Sequence, residues 1–188
     1  MTLTTISVGH NIKARSDSLS FSHFLAAAAM STPREDMDIL LDEGIEAATQ
    51  FLEENGEFCP FAVVLSAGGE VRYLQCEPDD EFTQSEGLIE ITENTLKELA
   101  ESGEVRATVL IADVFIHGKD ESDPDTDAIR LSMEHITTGA VICYLPYTVG
   151  EEEIVMGELV AEEGEAVIFP EKETEEPGDP EIDESLLN

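Results

Sequence analysis

The sequence predicts an α+β fold, an antiparallel sheet of about five to six strands with two helices packed on one face. Three observations carry that expectation. Two segments place apolar residues at helical spacing behind capping boxes, Gly68-Gly69 joins two short apolar runs, and from Glu104 the apolar period becomes two.

The first helix opens at Thr32-Pro33-Arg34-Glu35, where Thr32 can cap, proline suits the first helical position and Glu35 completes the box. Met37, Leu40, Leu41, Ile45, Ala48, Phe51 and Leu52 follow at helical spacing, and Asn55-Gly56 stops the helix. Phe61 to Ala67 and Glu70 to Cys76 then read as a hairpin, since a two-glycine link matches the twist of paired strands. Thr83 and Glu86 offer a second capping box, with Leu88, Ile91, Thr95, Leu96 and Leu99 on one face and Ser102-Gly103 as terminator.

Beyond Glu104, Val105, Ala107, Val109, Ile111, Asp113, Phe115 and His117 alternate along one face of a long strand. Its other face is nearly as apolar, which predicts a central position. An acidic loop, Asp120 to Asp127, leads to strands over Ala128 to Ile136, Ala140 to Tyr147 and Ile154 to Val160, with a stub at Ala166 to Phe169. The domain organisation is a disordered or mis-assigned leader over 1–31, one α+β domain over 32–170 and a disordered acidic tail over 171–188.

The element order resembles that of profilin-like and roadblock/longin-type domains, which are mainly interaction modules, although the roadblock fold's final helix is missing. At the level of residues the chain resembles a widespread bacterial family of small proteins without an assigned activity. The matching stretches are Gly56-Glu57-Phe58-Cys59-Pro60-Phe61-Ala62, Gly69-Glu70-Val71-Arg72, Asp127-Ala128-Ile129-Arg130, Glu134-His135 and Leu145-Pro146-Tyr147. Cys59 stands where that pattern carries an aromatic. The resemblance covers about residues 35–169 and implies a fold, not a reaction.

Charge is the strongest functional constraint. The 188 residues carry 43 Asp+Glu against 9 Lys+Arg, a formal net charge of -34. Such a molecule repels nucleic acid and anionic lipid, because phosphate is gripped mainly by Lys and Arg. Its expected partner is a protein, a basic one where the acidic surface makes the contact. Adaptation to a salty cytoplasm explains the same balance. No apolar run approaches the roughly 18 residues of a membrane span, so a cytoplasmic protein is expected. Cys59, Cys76 and Cys143 lack metal or redox spacing and read as reduced thiols. No cofactor is expected.

Two constellations carry potential chemistry. Asp123, Asp125, Asp127 and Glu134 occupy positions one, three, five and twelve of a calcium-loop template. Ala128 replaces the required glycine, however, and a strand from Ala128 would put Glu134 about 20 Å from its start. A solvated acidic loop is the better reading, and Asp120, Glu121, Asp123, Asp125 and Asp127 are then its candidate partner-binding residues. The second constellation is Asp113, His117, Glu134 and His135, a metal or acid–base cluster if neighbouring strands bring them together. The competing expectation is a core or rim histidine with a satisfied ring nitrogen, with Arg130 and Glu134 on the polar face at a spacing that permits a salt-bridge ladder with neighbouring strands.

Three functions therefore stand: a non-enzymatic acidic interaction domain, inhibitor-like or immunity-like, that binds through its charged face or a sheet edge; a small metal-dependent enzyme built on Asp113, His117, Glu134 and His135; and a homodimeric module joined at a sheet edge.

Overall fold

In the computed structural model, which describes residues 2–5, 12–16, 31–76, 85–118, 125–150 and 153–169, Thr32 caps a long helix, α1 (Pro33–Asn55). The capping box forms as its residues dictate: the Thr32 hydroxyl accepts from the Glu35 amide, and the Glu35 carboxylate accepts from the Thr32 amide at 2.7 Å. Gly56 ends the helix at φ 78°, a left-handed conformation that costs glycine little. Asp36, Leu40, Gly44, Ala48 and Leu52, each four residues beyond the last, are its buried line.

Strands β1 (Thr2–Thr5) and β2 (Ile12–Ser16) precede α1; β3 (Phe61–Ser66) and β4 (Val71–Cys76) follow it. Helix α2 (Ser85–Glu101) comes next, then β5 (Val105–Ile116), β6 (Thr126–His135), β7 (Gly139–Val149), β8 (Ile154–Met156) and β9 (Val160–Glu163). All pairings are antiparallel, in the order β1-β2-β4-β3-β5-β6-β7-β8, and β9 shares the β7 edge with β8. The path from β4 to β8 supplies the expected six strands. Two segments of the expected leader pair as well, β1 with β2 and β2 with β4. The acidic tail expected over 171–188 lies outside the described residues.

One expectation is corrected: the helices lie on opposite faces of the sheet. Leu40, Ala48 and Leu52 of α1 pack with Phe61, Val63 and Leu65 and with the odd-numbered core residues of β5, β6 and β7. Leu88, Leu96 and Leu99 of α2 pack with Ala62, Val64, Leu74 and Leu110. The reason is the composition of the central strands. Five consecutive β3 residues, Phe61 to Leu65, are buried, so both of its faces are apolar and each needs a cover.

Two further corrections concern the end of the domain. The strand expected over Ile154 to Val160 is interrupted at Gly157–Leu159, because β9 is displaced by one residue in register relative to β8. The stub at Ala166 to Phe169 is not a strand but a strap whose three amides, Val167 to Phe169, bind a side chain of β6.

Candidate functional site

The residues singled out from the sequence do not share a cleft. On β6, Glu134 and His135 are neighbours and project to opposite faces. Asp113 lies across from Ile129, six residues along β6 from His135, which separates them by about 20 Å. His117 is exposed at the far end of the β5–β6 hairpin, stacked edge-on to Phe115 and 3.6 Å from Asp125. Asp125 accepts the Gly118 amide at 2.9 Å, and that bond, then the nearby His117, lowers its pKa. Of the calcium-loop residues, Asp127 and Glu134 sit seven residues apart on one strand, with Glu134 facing away, so no twelve-residue loop closes around an ion. Asp120, Glu121 and Asp123 lie outside the described residues. Among the described residues no group of three His, Cys, Asp or Glu side chains is placed to hold a metal.

The polar cluster that does form centres on Asp36, a residue with no part in the sequence argument. This residue is 1% exposed, and its carboxylate accepts four hydrogen bonds: Ser31 Oγ at 2.5 Å, Arg106 Nε at 2.7 Å, Arg106 Nη2 at 2.8 Å and His135 Nε2 at 3.2 Å. Burial pushes its pKa up, yet the bonds from Arg106 and Ser31 outweigh that and leave it lowered. Arg106 reaches Asp36 through a bulge. The register between β3 and β5 slips between Leu65 and Ser66, so Arg106 falls at the bulge between the Ala107 and Val105 pairings, and Val105 joins the α2 side of the core.

His135 completes this cluster in one defined tautomer. Its Nδ1 accepts the Thr137 backbone amide at 3.1 Å, so Nε2 carries the proton donated to Asp36. The Thr137 hydroxyl is also 2.9 Å from Nδ1, an order of groups that imitates a nucleophile, base and acid. The chemistry does not follow from the geometry, because the lone pair needed by a general base is already taken by a backbone N–H, and His135 is 4% exposed. The arrangement ties the first turn of α1 to β5 and to the β6–β7 turn. This agrees with the expectation of a core or rim histidine with a satisfied ring nitrogen.

Glu134 corrects the expected polar ladder. Instead of joining a salt-bridge ladder with neighbouring strands, its carboxylate accepts the amides of Val167, Ile168 and Phe169 at 3.0, 2.9 and 3.0 Å, and it is 5% exposed. Arg130 Nε is buried without a hydrogen-bond partner. The strap covers the side of the sheet that α2 leaves bare, and Ile168 enters the α2 core.

At the other end of the sheet Asp113 accepts from the Tyr147 hydroxyl at 2.8 Å. Burial raises the Asp113 pKa, Tyr147 opposes that, and Asp127 and Glu57 add repulsion. The Tyr147 phenol is pushed up for the same reasons, burial first and the Asp113 bond second. A hollow of about 430 Å³ lies near the α1 C-terminus, lined by Phe51, Asn55, Glu57, Phe58, Cys59, Gln75 and Ser85. It contains neither Asp113 nor either histidine. Cys59 is exposed there, whereas Cys143 is buried with its pKa raised by that burial.

What remains available to a partner is surface. The outer strands β8 and β9 carry exposed Val155 and Val160, each 56% exposed, with Glu153, Glu158, Glu162 and Glu163 around them. Between Arg130 and Lys172 the chain has nine glutamates and no Lys or Arg. Among the described residues no helix is long and apolar enough to cross a membrane. No family model, no curated protein and no solved structure matches the chain.

Proposed function

We propose that this chain is a non-enzymatic, cytoplasmic interaction domain that binds a basic protein through its carboxylate surface, in the manner of an inhibitor or immunity protein. The observation that carries the reading is a division of labour among its polar groups. Asp36, His135 and Glu134, the buried groups able to do chemistry, are saturated by internal hydrogen bonds, while the exposed carboxylates have few cations to meet. Charge of one sign over a surface steers a partner of the other sign and rejects its own kind. Nucleic acid and anionic membrane are disfavoured by the same balance.

Affinity capture with the full chain tests this. A stoichiometric, basic protein retained at low salt and released as ionic strength rises is the expected result. Retention indifferent to salt removes the electrostatic reading, and no retained protein at all favours a surface adapted only to brine. Calorimetric titration with calcium, zinc and manganese addresses the metal-dependent alternative, for which the expected result is no saturable heat.

A further inference from the structure

We propose that the outer edge of β8 and β9 is a strand-addition site for an extended, cationic segment of another protein. This rests on the interaction reading above and adds the place of contact and the shape of the partner. The backbone supplies the first argument. Hydrogen bonds from Gly150 to Glu153 O (2.9 Å), Gly157 to Pro146 O (2.7 Å) and Gly164 to Ala140 O (3.2 Å) identify residues whose backbone faces β7. Antiparallel alternation then turns the N–H and C=O groups of Ile154 and Met156 in β8, and of Ala161 and Glu163 in β9, away from β7. Among the described residues no strand pairs with that side.

Side chains supply the second argument. Val155 and Val160 point to the same face of the sheet, and every β9 residue is exposed. Glu158, Glu162 and Glu163 border them, with no Lys or Arg between residues 130 and 172. A segment rich in Lys or Arg with interspersed apolar residues meets this lining, in which Glu162 shares the face of Val155 and Val160 and Glu163 lies on the other. A second copy of this chain does not, because pairing the edge with itself sets glutamate against glutamate. The site is also held in advance. β9 is bonded to β7 at Gly164, and the strap immediately after it is fixed by Glu134, so little order remains to be imposed on binding.

The test uses the full, isotope-labelled chain and an acetylated, amidated heptapeptide alternating Lys and Val, with the Glu and Val heptapeptide as control. The expected result is salt-sensitive binding of the Lys peptide alone, with exchange of the Ala161 and Glu163 amides slowed by about tenfold or more. Ala161→Pro removes an outward N–H without changing charge or the β7-facing bonds, and should weaken binding about tenfold. Should that variant not fold, Glu162→Gln with Glu163→Gln takes its place, and a similar loss is expected. Binding that is salt-sensitive yet unchanged in these variants, with protection spread over the acidic surface, overturns the edge site and leaves the broader reading standing. Equal binding of the Glu peptide overturns both.

Discussion

Asp36 and Arg106, seventy residues apart in the chain, meet as a two-pronged pair in which Nε and Nη2 each take one carboxylate oxygen. Because the acid is buried, neutralising it takes the counter-charge away from the Arg106 guanidinium. Asp36→Asn should cost about 3–5 kcal/mol in urea unfolding, the scale of a broken buried pair. The pKa of Asp36 is lowered on folding, so its stabilisation is complete above the unfolded value of 3.8 and is lost as pH falls through the folded value. Wild type and variant should therefore converge in stability in strong acid. A gap that persists there contradicts the account.

Glu134 answers for three amides at once. Glu134→Gln keeps the volume but replaces one acceptor by an NH₂ group that faces N–H donors, and about 1.5–3 kcal/mol should be lost. The loss should be local before it is global, with amide exchange accelerated first at Val167, Ile168 and Phe169. Uniform acceleration across β6 would show that the strap is not the element held.

Asp113 is expected to behave in the opposite sense to Asp36. Its pKa is raised on folding by burial and by the nearby acids Asp127 and Glu57, so the ionised form works against the native state. Asp113→Asn keeps an acceptor for Tyr147 and should stabilise the protein at pH 7 by up to about 1 kcal/mol. That benefit should vanish below the unfolded pKa of 3.8, where the aspartate is itself neutral in both states. A destabilised variant at pH 7 would mean that the carboxylate is required.

Gly44 sets how closely α1 rests on the sheet. A Cβ added there would lie 3.0 Å from Leu131 Cδ2 and 3.4 Å from Ile111 Cγ1, both fully buried side chains. Gly44→Ala gains about 1 kcal/mol of helix propensity, and overpacking of about 1–3 kcal/mol should exceed it. Thermal unfolding gives the sign directly: a raised Tm would show that Leu131 can yield.

The helices and strands were legible because each rests on local signals, such as the Thr32 capping box and the alternation from Val105 onward. The placement of α2 was not, since periodicity tells which residues of a helix are buried but not which side of the sheet buries them. The apolar character of both faces of β3 and β5 was the available signal. Asp36 also left a trace, standing four residues before Leu40 in line with the buried stripe of α1. Arg106 left none, because the bulge that turns it toward Asp36 appears only once β3 and β5 are paired. Glu134 looked solvent-facing by parity, and its cover comes from a strap too irregular to read as an element.

On the proposed function, opposite charge decides what this molecule binds. The most direct test is the affinity of the captured basic partner for the full chain, measured by calorimetry from about 50 to 500 mM salt. The dissociation constant is expected to rise at least tenfold over that range. An affinity independent of salt, or a captured partner that is itself acidic, contradicts the proposed function.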